Sequence, residues 1–295
     1  MKKNTDKIIV LNKKEGETPL EVLESFRSKN KAYQDLKMTY AGRLDPMASG
    51  LLILLTGEET KNKEKYLSLD KEYEFEVLFG FATDTYDILG KVLKSVRQGL
   101  TQKTTRQDLV LKLELEKKIK QNLQHFTGKF MQKYPMYSSK TVAGKQLFEY
   151  ARSGEDVVIP EREVNVKSLK LLKIKKINNK NLLENIEHRI GKVKGDFRQK
   201  EILKIWQHSM ANDLKYAFKS NLSPRARGAN FSARPPAKGF LKHTSSSFAI
   251  ASFKIKCGSG TYVRSISNNL GEKIGIPALA FSIKRTKIGK WSKIT

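Results

Sequence analysis

Cysteine is almost absent from this chain of 295 residues, in which Cys257 is the only thiol. A single cysteine excludes an intrachain disulfide, and the four histidines are scattered without the spacing of metal ligands. The longest apolar run, Leu51–Leu55, is far too short to cross a bilayer, and the N-terminus lacks the long apolar stretch of a signal peptide. We therefore expect a cytoplasmic protein with no metal site and no membrane partner.

Acidic residues are also scarce. The 57 Lys and Arg outnumber the 30 Asp and Glu, which gives a formal net charge of +27. This excess is far beyond what solubility requires and indicates a polyanionic partner. Because an acidic membrane surface would require a basic amphipathic segment or a hydrophobic span, nucleic acid is the polyanion that we expect.

Local patterns predict secondary structure in the first third of the chain. Thr18, Pro19 and Glu21 have the spacing of an N-cap, a first helical position and a capping box. Residues 71–79 alternate between apolar and acidic side chains, as in a half-buried strand. Tyr73 belongs to the apolar set, so we expect it to face inward.

A strand, a turn and a helix are predicted near the C-terminus. Residues 249–257 alternate with a period of two, and Gly258–Gly260 breaks the strand. Thr261 has the position of an N-cap, and apolar residues then recur at helical spacing until Gly275. Arg264 lies in the first turn, where a cation is unfavourable beside the positive end of the helix dipole. A nearby anion would explain this placement.

The segment Gly42–Gly50 presents a carboxylate from a loop. Pro46 restricts Asp45 to extended conformations, and the flanking glycines allow sharp turns or close approach to a ligand. On spacing alone, the commoner interpretation is that Asp45 caps a turn or a short helix.

A larger set of motifs resembles the TruB-type pseudouridine synthases. The matching blocks occur in the family's order, and they are Ala41–Leu52, Gly57–Lys61, Lys71–Tyr73, Thr83–Thr85 with Asp87 and Gly90, Pro135–Ser138 with Gly144 and Tyr150–Arg152, and Gly260–Arg264 with Leu270–Glu272 and Lys284–Thr286. The resemblance implies the pseudouridine-synthase fold, an α+β fold with a mixed, mostly antiparallel sheet, flanking helices and a central RNA-binding cleft.

The resemblance also implies an activity, which is isomerisation of uridine to pseudouridine in the T-loop of tRNA, at position 55, without a cofactor. Asp45 matches the family's catalytic aspartate, and Arg264 matches the arginine expected to pair with it. Tyr73 matches the family's catalytic tyrosine, which stacks on the target base and assists proton removal at C5. Tyr262 and Ile283 match positions that contact the nucleotide. From the pattern alone, Arg264 would be a solvated surface residue and Tyr73 a core aromatic. Tyr262 and Ile283 are equally consistent with packing.

Other features depart from the family's pattern. Tyr40 and Arg43 replace the family's histidine and a small residue, and we expect this pair to fill the gap left by flipped bases.

Lys61 either binds phosphate or is a solvated charge. The Arg-Leu-Asp triplet also resembles the RsuA and RluA branches. An enzyme acting on ribosomal RNA and a catalytically idle tRNA chaperone therefore remain alternatives.

Composition shifts again after Asn178, and we predict a basic insertion at 179–247 between catalytic segments at 1–178 and 248–295. The insertion has 14 Lys or Arg against five acids, in a helical half and an Arg- and Pro-rich half. We expect the insertion to bind tRNA outside the T-loop. The chain ends soon after its last matching block, which predicts that the family's usual C-terminal PUA domain is missing. We expect a monomer.

Overall fold

The computed structural model describes residues 6–96, 106–220 and 247–292. Within these ranges the strands are β1 (Ile8–Lys13), β2 (Met38–Ala41), β3 (Ala48–Thr56), β4 (Lys71–Phe79), β5 (Phe81–Thr83), β6 (Val92–Ser95), β7 (Gly128–Lys133), β8 (Thr141–Val142), β9 (Lys145–Gln146), β10 (Glu161–Asn178), β11 (Ser247–Cys257), β12 (Ala278–Ile288) and β13 (Trp291–Ser292). The α-helices are α1 (Pro19–Lys29), α2 (Lys63–Leu67), α3 (Arg106–Asn122), α4 (Leu147–Ser153), α5 (Asn179–Ile190), α6 (Gln199–Ser220) and α7 (Val263–Ile274). Short 3-10 turns occupy Lys31–Tyr33, Gly57–Asn62 and Leu123–Phe126.

Nine of the described strands form one mixed sheet. Its order is β1-β3-β12-β4-β11-β10-β7, with β2 paired to β3 and β13 paired to β12. Strands β3 and β12 run parallel, whereas the other neighbours run antiparallel. The expected α+β fold with a mostly antiparallel sheet is therefore confirmed. Because β12 lies between β3 and β4, the C-terminal part of the chain reaches the middle of the sheet.

Helices α3 and α7 cover one face of the sheet. The predicted alternation of β4 is confirmed, since Tyr73, Phe75, Val77 and Phe79 are buried on this face. Helix α7 begins one residue later than predicted, with Tyr262 as its N-cap. The prediction of Thr261 as the cap is wrong because its hydroxyl turns back and donates to the Gly258 carbonyl at 3.1 Å. The expected end of α7 at Gly275 and the capping box of α1 are both confirmed.

Helices α5 and α6 pack on the other face of the sheet. Their buried apolar residues share one core with those of β4, β11 and β12, and the members from the two helices include Leu182, Ile186, Ile190, Ile202, Trp206 and Met210. The Trp206 indole is fully buried and donates to the Ile88 carbonyl at 3.1 Å. The helical half of the predicted insertion is thus integral to the core. The domain boundaries at 179 and 247 stay a prediction, and most of the Arg- and Pro-rich half lies outside the described residues.

None of the helices in the described ranges is both long enough and apolar enough to cross a bilayer.

Candidate active site

Asp45 lies in the loop that connects β2 to β3. Gly42 and Gly50 flank this loop with φ angles of 85° and 112°, a region that favours glycine. A methyl group on Gly50 would lie 2.2 Å from the Arg285 carbonyl oxygen, so only glycine lets β3 pass this closely to β12. The loop presents the Asp45 carboxylate with 38% of its side chain exposed.

Arg264 is the ion-pair partner of Asp45. Its Nε donates to Asp45 Oδ2 at 2.7 Å, and its Nη2 donates to Oδ1 at 3.1 Å. The same guanidinium donates to the carbonyls of Thr85, at 2.6 Å, and Tyr137, at 3.3 Å. Burial alone would lower the pKa of Arg264, but Asp45 and then Asp87 raise it more. The anion expected beside this first-turn cation is therefore present.

A second carboxylate, Asp87, lies behind this ion pair. Its Oδ2 is 3.8 Å from the Arg264 Nε, and the side chain is buried. The Thr85 hydroxyl and the Leu89 amide both donate to its Oδ1, at 2.7 and 3.0 Å. Burial raises the pKa of Asp87 to about 6, although Arg264 opposes this shift. Arg264 is thus held between an exposed carboxylate and a buried one.

A cavity of about 510 Å³, here called the Tyr73 cavity, opens on one side of Asp45. Tyr73, Tyr262 and Ile283 line it together with Asp45 and Arg264. Its charged lining consists of six cations and two carboxylates, which are Arg43, Lys63, Lys71, Arg162, Arg264, Arg285, Asp45 and Glu64. The combination of aromatic rings and excess positive charge suits a nucleotide, because rings stack on bases and cations neutralise phosphate.

A second cavity of about 510 Å³, here called the Arg198 cavity, also has Asp45 in its lining. Arg198 lies in the turn between α5 and α6 and has a positive φ of 62°. Its guanidinium lies 4.3 Å from the centre of the Tyr137 ring and forms an ion pair with Asp84 at 2.9 Å. Tyr40, like Asp45 itself, lines both cavities. The two cavities are therefore adjoining parts of one cleft.

Comparison with known families identifies the family of the chain. Residues 29–195 match the family model described as TruB family pseudouridylate synthase, N-terminal domain. The chain belongs to the TruB family. This membership agrees with the fold and with the ion pair of Asp45 and Arg264 at the centre of the cleft.

Several curated TruB relatives carry the name tRNA pseudouridine synthase B. The protein of Lactobacillus acidophilus is 31% identical over 278 residues, which cover 94% of this chain and 67% of the relative. Those of Caldanaerobacter subterraneus and Aquifex aeolicus are 38% and 34% identical and cover 58% and 57% of this chain. This chain spans only 54% and 52% of those two relatives. A solved Cbf5-Nop10-Gar1 complex contains a chain with a TM-score of 0.49 and 16% identity, over 97% of this chain and 50% of that one.

The structure brings seven of the eight predicted site residues of this TruB protein to the cleft. They are Asp45, Tyr73, Arg264, Tyr40, Arg43, Tyr262 and Ile283. Lys61 lines neither cavity; its side chain is 70% exposed and pairs with Glu58. The individual roles of all eight residues stay predictions.

Two buried cations, which the sequence analysis did not identify, support the Asp45 loop of this TruB chain. Lys13 is fully buried, and its ammonium donates to three carbonyls, including that of Pro46 at 3.4 Å. Arg285 is 1% exposed and donates to the carbonyls of Leu51, at 2.8 Å, and Gly42, at 3.3 Å. The sequence did place Arg285 in a family block, but that position indicated no role for its side chain. Both cations thus hold backbone carbonyls in the Asp45 loop or next to it.

Proposed function

We propose that this protein converts uridine to pseudouridine in the T-loop of tRNA, at position 55, with Asp45 as the catalytic residue. The observation that carries the proposal is the Asp45 carboxylate, paired with a buried arginine at the junction of two nucleotide-sized cavities, in a member of the TruB family. The tRNA substrate is supported by the names of the curated relatives.

The chemistry requires an ionised carboxylate at this position. Isomerisation breaks the glycosidic bond at N1, turns the base and joins C5 to the ribose; the proton at C5 is then removed and N1 is protonated. Asp45 begins this sequence either as a nucleophile at the sugar or as a base that removes a sugar proton. Arg264 stabilises the anion that both routes need, and its two parallel hydrogen bonds fix the carboxylate geometry.

Tyr73 is proposed to stack on the target base. Burial is the main cause that raises the pKa of its phenol, so the hydroxyl is neutral at physiological pH. A neutral ring suits stacking and hydrogen bonding better than proton removal from the resting site. Tyr262 and Ile283 complete the same cavity, and each is proposed to contact the flipped nucleotide. The proposed reaction uses no cofactor.

Tyr40 and Arg43 are proposed to bind the RNA on either side of the flipped nucleotide. Both residues line both cavities, so they lie where one strand would pass from the first to the second. Lys63 lies 5.6 Å from the centre of the Tyr40 ring and adds a cation beside it. The exposed Lys61 is proposed as a peripheral phosphate contact outside the cleft.

The segment 179–247 is proposed to bind tRNA as well. Phe197 and Arg198 line the same cavity as Asp45, so this segment reaches the catalytic cleft in addition to the outer contacts expected of it. Two contacts hold the turn in place, because Lys91 pairs with Glu201 at 2.7 Å and Arg152 donates to the Asp196 carbonyl at 3.1 Å. We further propose that the protein acts as a monomer.

The test is to incubate the protein with unmodified tRNA and ribosomal RNA transcripts and to map pseudouridine by chemical adduct formation and primer extension. Pseudouridine confined to the tRNA T-loop is the expected result. Modification of ribosomal RNA alone would replace the proposal with an activity like that of the RsuA or RluA branches. Tight tRNA binding without any modification would leave an idle RNA chaperone.

A further inference from the structure

Arg162 is a half-buried cation that forms no ion pair with the described residues. It lies at the start of β10 opposite Gln132 of β7, and its side chain lines the Tyr73 cavity. Gln132 faces the same way and holds the backbone of Tyr262 through both its oxygen, at 2.8 Å, and its nitrogen, at 3.1 Å. Arg162 therefore lies against the loop that leads into α7 and the candidate nucleotide site.

The Nε of Arg162 is buried and has no hydrogen-bond partner within the described residues. The neighbouring glutamates do not supply one, because side chains alternate along a strand. Glu161 and Glu163 instead pair across the strand with Lys133, at 3.9 Å, and Lys129, at 3.3 Å. A buried nitrogen donor without a partner costs free energy and needs an explanation.

The fully buried arginines of the described ranges do have partners. Arg264 pairs with Asp45, Arg189 makes a double hydrogen bond with Glu15, and Arg285 donates to backbone carbonyls. Arg162 differs from them because its guanidinium faces a cavity instead of a protein acceptor.

Gly260 leaves space for the Arg162 side chain. Gly260 has a φ of 79°, and a methyl group there would lie 1.9 Å from the Nη1 of Arg162. Any larger residue at 260 would displace the guanidinium. Lys71 and Arg285 line the same cavity, so Arg162 adds charge to a wall that is already positive. An arrangement of this kind is stable once an anion binds.

We propose that Arg162 binds a phosphate of the RNA strand next to the flipped uridine. This inference rests on the proposed function, because phosphate is the anion that an RNA substrate brings into the cleft. The planar guanidinium can present two donors to a phosphate, as arginine does at many phosphate sites. Arg162 is thus a substrate-binding residue whose missing partner is supplied by the substrate.

The test compares Arg162→Met with Lys170→Ala, a control on the same strand that removes an exposed charge lining neither cavity. Binding of a T-arm hairpin is measured against salt concentration. The slope of log affinity against log salt should flatten by roughly 0.7 to 0.9 in Arg162→Met and change less in the control. The melting temperature of Arg162→Met should stay near that of wild type, because the Nε of Arg162 has no hydrogen-bond partner to lose. An unchanged slope, with or without a lower melting temperature, would overturn the proposal.

A second arm locates the phosphate by replacing single linkages near the target uridine with neutral methylphosphonates. One linkage should weaken binding to wild type but not to Arg162→Met, since the interaction is already lost. Additive losses at every linkage would also refute the contact. The proposed function is judged separately, since it fails if wild type forms no pseudouridine. The inference about Arg162 fails if wild type is active and the salt slope of Arg162→Met equals that of wild type.

Discussion

Arg264 Nε lies 2.7 Å from Asp45 Oδ2, although the two residues are 219 positions apart in the chain. The contact joins the loop before β3 to the first turn of α7. Folding therefore assembles the candidate site from both ends of the chain, and the parallel pairing of β3 with β12 brings those ends together.

Replacing Arg264 with lysine should lower turnover more than RNA affinity. Lysine keeps the charge but loses the fork that donates to both Asp45 oxygens and to the Thr85 and Tyr137 carbonyls. We expect kcat to fall by roughly one to two orders of magnitude, given what a hydrogen bond to a charged group contributes. The control is Arg106→Lys, an exposed position on α3. Weaker binding at unchanged kcat would make Arg264 a phosphate contact instead.

Protonation of Asp87 should slow the reaction at low pH. Because burial raises its pKa to about 6, Asp87 is ionised beside Arg264 above that pH and protonated below it. The single-turnover rate should therefore fall as the pH drops through about 6. Asp87→Asn, which is neutral at every pH, should react more slowly than wild type, and its rate should not fall further as the pH drops through about 6. Identical pH profiles for variant and wild type would show that Asp87 is not coupled to the chemistry.

The same pKa has a consequence for stability. The folded protein binds more protons at Asp87 than the unfolded chain does between its ordinary pKa and about 6. The stability contributed by this group should therefore fall as pH rises through that window, and thermal unfolding of wild type and Asp87→Asn over these pH values measures the difference.

Tyr40 should contribute to productive binding. Its ring lines both cavities and can stack on a base, so Tyr40→Ala should raise KM for tRNA. Tyr40→His keeps a flat aromatic ring and should be tolerated. Steady-state kinetics of the two variants with one tRNA transcript provide the comparison, and unchanged kinetics in the alanine variant would remove Tyr40 from RNA binding.

Sequence patterns predicted several elements for which one local rule decides the outcome. The capping box at Thr18 and the alternation of β4 are of this kind, and both are present in the structure. Arg264 was informative for the opposite reason, because its unfavourable place in a first turn indicated a nearby anion. The identity of that anion came from the family resemblance, since no spacing rule connects residues 219 positions apart.

The buried charges could not be predicted in the same way. Lys13, Asp87 and Arg285 belong to residue types that are mostly exposed. Other segments place some of their partners, which are the Pro46 carbonyl for Lys13, the Leu51 carbonyl for Arg285 and the Arg264 side chain for Asp87. Lys61 illustrates the reverse problem, because its family block matches while its side chain pairs with Glu58 on the surface.

The basic segment should be divided for testing, because α5 and α6 belong to the core. Removing all of 179–247 would expose the apolar face that Trp206 covers, so we expect only 221–246, with five cations and no acid, to be replaceable by a short Gly-Ser linker. The shortened protein should lose affinity for whole tRNA but little for a T-arm hairpin. Its salt slope on whole tRNA should flatten by roughly 0.7 to 0.9 for each lost phosphate contact. Equal affinity for whole tRNA in a folded variant would exclude a role in binding.

The central claim is that the Asp45 carboxylate performs the chemistry, and Asp45→Asn tests it most directly. The measurement is single-turnover formation of pseudouridine in an unmodified tRNA transcript, together with tRNA affinity, for wild type, Asp45→Asn and the exposed control Asp35→Asn. The amide can act neither as nucleophile nor as base, so Asp45→Asn should bind tRNA like wild type and form no measurable pseudouridine, while the control remains active. A rate for Asp45→Asn within about tenfold of wild type would contradict the claim.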